Sequence, residues 1–288
     1  MDRVLEVLDS GPQLLVQDLG RAGYAHLGVP PSGALDVPSL RLGNRLVGNP
    51  EGAAGLESLL GAVRLRAGCS CTVAVTGPSV PVRVNDAWAD SHVPLHLAAG
   101  DVLRIGTPRT GLRVYLAVSG GVAVPEELGS RSTDLLSGLG PAPLRAGDVL
   151  PLGRRCGVPV GVDTVAPVAV PERIEVPVLL GPRDDWFDDA ATALRSGRWT
   201  VSPDSNRVGL RLTGPALRRA AAFADRELPS EGLVTGAVQV PADGRPVVFL
   251  ADHPTTGGYP VVAVAAQEVL PLLAQARPGT EIRFRPTG

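Results

Sequence analysis

The sequence predicts a mainly β fold arranged as two barrel-like halves with a few short helices. Three observations predict it. Short apolar runs with period-two alternation, such as Val63-Arg64-Leu65-Arg66, recur along the chain, and alternation turns one strand face to a core and the other to water. The 35 glycines and 28 prolines fall between such runs without a G-X-Y period, as turns between short strands require. One corner device also returns: Ala98-Ala99-Gly100-Asp101, Arg145-Ala146-Gly147-Asp148 and, more loosely, Arg277-Pro278-Gly279-Thr280 each join apolar runs. Their spacing is too irregular for a solenoid.

Taken in order, Val4–Leu8 and Leu14–Val16 read as strands around Gly11-Pro12. Leu40–Val47 reads as a helix, with Leu42 and Leu46 at i,i+4, Pro38 in its first turn and Gly48-Asn49-Pro50 after it. Ala53–Leu60 fits a short helix or a strand. From Val63 to Val118 the pattern is β, with runs at Thr72–Val75, Val80–Val84, Val93–Leu97 and Val114–Val118. The least patterned stretch, Arg154–Val170, holds the expected boundary, giving domains 1–165 and 166–288. Beyond it, Ile174–Leu180 reads as strand and Gly181–Leu194 as a helix with acids in its first turn. Trp199–Val201 and Gly209–Leu212 read as strands, Gln267–Ala274 as the last helix and Glu281–Arg285 as the last strand.

Composition excludes several function classes. The chain has 288 residues and all 27 cationic side chains are arginines. A P-loop, a kinase strand lysine, a Schiff-base enzyme and a biotin-carrier module each need a lysine, so none is encoded here. A net charge of −2 without a basic stripe argues against nucleic acid as a partner. Cys69, Cys71 and Cys156 are odd in number and lack a C-x-x-C spacing, so buried free thiols are expected, with Cys69 and Cys71 on one strand face. His26, His92, His96 and His253 are scattered, with His92 and His96 expected on one strand face, and no metal site is expected. Neither a signal peptide nor a membrane span is indicated, so the expected location is the cytoplasm.

The stretch Ser230–Pro260 organises the functional reading. Ala237–Val240 and Val247–Ala251 read as two strands joined through Pro241-Ala242-Asp243-Gly244-Arg245-Pro246, where Asp-Gly tolerates the left-handed conformation of a tight turn. The second strand runs into Thr255-Thr256-Gly257-Gly258-Tyr259-Pro260, which offers hydroxyls, bare backbone N–H groups and a phenol. Such a loop either receives an anion or polar ligand or is an ordinary barrel corner. Two more polar segments invite the same pair of readings. Gln17–Tyr24 with Gly28–Asp36 is a long loop, functional or a structural Ω-loop. Leu128–Asp134 sets hydroxyls around Arg131, which binds phosphate or carboxylate or ties its own loop together.

These segments carry a resemblance. Gln17-Asp18-Leu19-Gly20-Arg21-x-Gly23-Tyr24, Gly28-Val29-Pro30, Ser32-Gly33-Ala34-x-Asp36 and Asn44–Pro50 come first. Gly120-Gly121 and Leu128–Asp134 follow. Gly181-Pro182, Arg207-x-Gly209-x-Arg211-Leu212, Ser230-Glu231-Gly232, Gln239-Val240-Pro241 and Thr255–Pro260 complete a colinear set covering nearly the whole chain. Together they resemble the KipA family, also called allophanate hydrolase subunit 2 or the 5-oxoprolinase C subunit, whose module recurs in the carboxyltransferase region of urea carboxylase. His253-Pro254 stands where that family usually has Arg-Gln.

The resemblance implies two cyclophilin-like β-barrel domains, a KipI-like partner subunit and, in one branch, a LamB/YcsF-like third subunit. That branch opens 5-oxoproline to glutamate at the expense of ATP, here through an unconventional or composite site. The alternatives are transfer of a carboxyl from carboxybiotin, supplied in trans, to an amide such as urea, or non-enzymatic antagonism of a KipI-like kinase inhibitor. Either reaction needs donors where oxyanion charge develops. The resemblance makes Asp18, Arg21, Asp36 and Asp252 the catalytic candidates. It makes Gln17, Tyr24, Ser32, Arg131, Arg207, Gln239, His253, Thr255, Thr256, Gly257, Gly258 and Tyr259 the ligand-binding candidates. The threonine-rich loop and the early Asp/Arg segment are expected to line one cleft.

Overall fold

A computed structural model describes residues 3–160, 165–167 and 169–287; residues 161–164 and 168 of the expected boundary stretch lie outside the described residues. The mainly β fold expected from the sequence is the fold observed, with three short α-helices among the described residues and a closed barrel. The chain divides into two compact units after Val170, with residues 22–31 and 135–137 grouped with the second.

The first unit is built on two sheets. Strands Val4–Asp9, Val63–Ala67, Val82–Val84, Ala87–Ala89, Val102–Ile105 and Val149–Pro151 make a six-stranded sheet. Gln13–Gln17, Gly55–Leu59, Cys71–Thr76, Leu95–Leu97 and Arg113–Val118 make a five-stranded one. Alternation decides which faces meet. Val63, Leu65 and Ala67 are buried while Arg64 and Arg66 are exposed. The inward residues join Leu5, Val7, Leu14, Val16, Leu56, Val73, Val75, Leu103 and Leu116 in one core. Gly55–Leu59 is therefore the strand of its two candidate states. Cys71–Thr76 is buried on both faces because helix α1 (Val37–Leu46) covers the other side, where Leu46, Val47, Ala74 and Ala117 pack together. Gly43 permits that close approach: a Cβ there would sit 3.1 Å from both the Ala117 Cβ and the Thr76 hydroxyl.

The second unit closes seven strands into a barrel, in the order Arg173–Leu180, Val261–Ala265, Ala237–Gln239, Val247–Phe249, Gly209–Thr213, Trp199–Val201, Glu281–Pro286. Closure removes exposed sheet edges. The hairpin forms as its turn residues require. Val238 pairs with Val248, Gly244 takes φ +75°, and its N–H donates to the Pro241 carbonyl at 3.0 Å. Gly181–Leu194 is not one helix. A 3₁₀ turn at Asp184–Trp186 is separated from α2 (Ala190–Ser196) by Asp189, which takes φ +41° and caps α2 by accepting from the Thr192 N–H. The last helix is a 3₁₀ turn, Gln267–Val269, running into α3 (Leu270–Ala274).

The three repeated corners share one geometry. In each, the fourth residue's N–H donates to the first residue's carbonyl at 3.0–3.2 Å. The fourth side chain accepts in return from the first N–H: Asp101 from Ala98 and Asp148 from Arg145 at 2.7 Å, Thr280 from Arg277 at 3.1 Å. The third position is a glycine with φ between +89° and +97°, which is why Gly precedes Asp or Thr each time.

Candidate functional site

In the first unit Asp18 is a hub. It follows strand Gln13–Gln17, and its carboxylate accepts four hydrogen bonds. Oδ1 takes the Gly20 N–H at 2.8 Å and the Ser130 and Ser132 hydroxyls at 2.6 Å each; Oδ2 takes the Arg131 N–H at 2.7 Å. The carboxylate thus locks two loops more than a hundred residues apart. Of the two readings of Leu128–Asp134, Arg131 follows the loop-tying one. Its Nε donates to the Val124 carbonyl at 2.8 Å and its Nη1 pairs with Glu126 at 2.7 Å, while the serines turn to Asp18.

Arg21 and Gln17 enter the same knot. Arg21, 2% exposed, donates through Nη2 to the Ser132 carbonyl and through Nε to the Glu127 carbonyl. Gln17, fully buried, donates through Nε2 to the Thr133 carbonyl at 2.8 Å, which also accepts from the Ser32 hydroxyl at 3.1 Å. One donor and one acceptor remain unspent there: Arg21 Nη1 and Gln17 Oε1 are buried without a hydrogen-bond partner. Leaving such atoms unpaired is costly unless they serve a ligand or water. The knot is tightly built. A Cβ on Gly140 would lie 2.0 Å from the Ser132 carbonyl oxygen, and one on Gly33 2.8 Å from Gly20 N.

Asp36 is engaged in a second network. It caps α1, accepting from the Ser39 N–H at 3.1 Å and the Ser39 hydroxyl at 2.7 Å. Its own N–H donates to the Tyr115 hydroxyl, which donates in turn to Glu57 at 2.7 Å. Burial, and then the Glu57 charge, hold the Tyr115 phenol well above its ordinary range, so it stays a neutral hydrogen-bond relay.

In the second unit Asp252 and Arg207 form a fully buried pair. Arg207 Nε donates to Oδ2 at 2.8 Å and Nη2 to Oδ1 at 2.9 Å. The Leu135 N–H also approaches Oδ2 at 3.3 Å. Next to it in sequence, His253 is buried, its Nδ1 2.7 Å from the Pro254 carbonyl. Thr255–Tyr259 supplies one strand of a two-stranded ribbon, in which Thr256–Gly257 pairs with Glu231–Gly232. Gln239 Nε2 donates to the Tyr259 carbonyl at 2.9 Å, and Gly257 leaves it room, since a Cβ there would meet that nitrogen at 2.7 Å. Thr256, Gly258 and Tyr259 stay exposed and Thr255 and Gly257 are half-buried. Tyr24 is half-buried ahead of the 3₁₀ turn Ala25–Leu27.

Several residues outside the expected set hold these sites. Ser130 and Ser132 bind Asp18. Glu231 grips Arg183 in a bidentate pair beside the ribbon, which holds its carboxyl below the ordinary range. Glu231 stands within the Ser230-Glu231-Gly232 motif, yet nothing local marks its partner 48 residues earlier. The histidines do not share a strand face. His92 takes φ +64° ahead of strand Leu95–Leu97, buried with Nε2 2.9 Å from the Gly77 carbonyl, whereas His96 is on the strand and exposed. Cys69 likewise precedes the strand that Cys71 opens; the three thiols are free, but of the three expected to be buried Cys71 alone is, with Cys69 half-buried and Cys156 exposed.

The carboxyltransferase-domain model for subdomains A and B matches residues 27–286. The chain belongs to that family. Within it, the 5-oxoprolinase C subunit of Escherichia coli K12 is 39% identical over 287 residues, covering 98% of this chain and 90% of that one. A solved chain named TTHA0988 superposes with TM-score 0.86 at 38% identity, over 99% of this chain. The Kluyveromyces lactis urea carboxylase superposes with TM-score 0.92 at 32% identity, over all of it. This carboxyltransferase-family chain spans 56% and 28% of the lengths of those two solved chains.

Proposed function

We propose that this chain is the C-type subunit of an ATP-dependent amidohydrolase that opens 5-oxoproline to glutamate. It acts in a complex, with a KipI-like subunit and a LamB/YcsF-like subunit as partners, in the cytoplasm. The observation that carries this reading is the 39% identity to a bacterial 5-oxoprolinase C subunit along nearly the whole of both chains.

The knot in the first unit supports an amide or lactam as substrate. Such a group presents a carbonyl that needs a donor and an N–H that needs an acceptor. Arg21 Nη1 and Gln17 Oε1 are one of each, buried and unspent. In this reading Arg21 stabilises charge on the carbonyl oxygen as water adds, and Gln17 fixes the N–H. Asp18 orients both through the loops it locks, with Ser32 and Arg131 completing the frame. Asp36 serves by holding the Tyr115–Glu57 network. In the second unit, Asp252 aligns Arg207, buried Gln239 holds the ribbon through the Tyr259 carbonyl and buried His253 leads into it, while Thr255, Thr256, Gly257, Gly258 and Tyr259, and separately Tyr24, are the ligand contacts of this reading. ATP, when bound, would couple the opening to its own hydrolysis to ADP and phosphate; with no lysine in the chain, the cationic contacts this chain could make to its phosphates would fall to arginines.

The test is reconstitution. Combined with its two expected partners, this chain should release glutamate from 5-oxoproline with ATP; an unchanged rate when it is omitted would remove the proposal. A second reading is favoured by the superposition on a urea carboxylase: a carboxyltransferase using carboxybiotin brought by another protein. Turnover of carboxybiotin with urea, and none of 5-oxoproline, would select it. Binding of a KipI-like protein without turnover of either substrate would leave the antagonist role.

A further inference from the structure

The solvent face of the six-stranded sheet carries a row that the reaction above does not use. Strand register puts Arg64 opposite Arg104, Arg104 opposite Arg83, and Arg83 opposite Trp88. At the other end Asp9 stands opposite Arg64. Three guanidiniums thus sit side by side on neighbouring strands, and like charges directly opposite each other are destabilising.

The carboxylates on this face offset them only in part. Asp9 is 3.8 Å from Arg64 Nε, and Asp86 is 3.1 Å from Arg104 Nε without a hydrogen bond between them, so that buried Nε stays unsatisfied. Arg66, in the next row, is paired with Glu6 at 2.7 Å. Among the described residues Arg83 has no carboxylate partner; it lies 4.0 Å over the Trp88 ring, which holds the guanidinium in place. Asp9, Arg64, Pro81, Arg83, Arg104 and Gly106 line a depression of about 300 Å³ there. The Asn85-Asp86 turn, with φ +48° and +71°, fixes the hairpin that presents Arg83 and Trp88.

We propose that this row is a binding site for an oligophosphate chain, with Arg83 and Arg104 as its principal ligands and Arg64 at its end. Adjacent forks of N–H donors match successive phosphate oxygens, and a bound polyanion relieves the repulsion along the row. A nucleoside triphosphate is the source if the ATP-coupled reading holds, and this identification rests on that reading; an inorganic oligophosphate presents the same chemistry.

The test uses the full chain alone at low ionic strength, titrated with tripolyphosphate, ATP and adenosine by calorimetry and by tryptophan fluorescence. Trp88 is 70% exposed while Trp186 and Trp199 are 3% and 1% exposed, so a fluorescence change reports on this face. Tripolyphosphate and ATP are expected to bind with dissociation constants within about threefold of each other, adenosine not at all, and added salt to weaken both. R83Q/R104Q should weaken them at least about tenfold, the loss of about 1.4 kcal/mol or more, with an unchanged melting curve showing the fold intact. Binding of tripolyphosphate without ATP would keep the site and make the inorganic anion its ligand. No saturable binding of tripolyphosphate, or equal binding by R83Q/R104Q, would overturn the proposal. Because neither readout involves 5-oxoproline, this site can fail while the amidohydrolase reading stands, and the converse.

Discussion

Arg207 and Asp252 meet in a two-pronged pair, 1% and 0% exposed, with N–O distances of 2.8 and 2.9 Å. A buried charge stripped of its partner keeps its desolvation cost and loses the attraction that offset it. Arg207→Met or Asp252→Leu alone should therefore destabilise the protein by about 3–5 kcal/mol. The double variant should recover most of that loss, read by chemical denaturation.

Asp18 sets up a different comparison. Asp18→Asn turns one acceptor into a donor facing groups that already donate. It should cost on the order of 3 kcal/mol, since several hydrogen bonds to a charged acceptor go at once. Arg21→Lys keeps the positive charge but loses the Nη1 donor. In the reconstituted complex it should lower kcat by about 10²-fold, with a smaller change in KM, as expected for a donor that acts mainly in the transition state.

His92 gives the fold a pH dependence. Burial holds its imidazole below the ordinary value, partly opposed by its hydrogen bond to the Gly77 carbonyl. The unfolded chain then takes the proton more readily than the folded one. The stabilisation is complete above the unfolded pKa, about 6.5, and is lost as pH falls through the lowered folded value. Melting curves of the wild type should fall in temperature across that acid range, and those of His92→Gln should be flatter.

The thiols should react in order of exposure and ionisation. Cys156 is exposed, Cys69 is half-buried, and burial followed by the neighbouring Cys69 pushes the Cys71 thiol up to about 11. Because the thiolate is the nucleophile, a thiol reagent near neutral pH should label Cys156 first. Cys71 should react only on unfolding, as mass spectrometry of partly labelled protein can read.

Much of the fold was legible because its signals are local. Val63-Arg64-Leu65-Arg66 alternates, Asp243-Gly244 forces a turn, and the three Gly-Asp or Gly-Thr corners repeat one hydrogen-bond pattern. Val261–Ala265 is a barrel strand with five apolar residues in a row, so no period marks it in the sequence. The helix expected over Gly181–Leu194 breaks at Phe187, which is extended and bridges to Arg219 far along the chain, and restarts behind Asp189, which caps α2 from a left-handed conformation. The site was less legible for the same reason. Asp18 meets Ser130 and Ser132 across 112 and 114 residues, and residue types alone gave Arg131 two roles. What sequence did carry was the identity of the polar segments that come together within each unit.

The claim that this chain is a required part of a 5-oxoproline-opening enzyme is tested most directly by one rate. Glutamate release from 5-oxoproline with ATP is measured with the two expected partners, with and without this chain. The account predicts turnover that saturates as the chain is added and is absent without it. Equal rates in the two mixtures would contradict it.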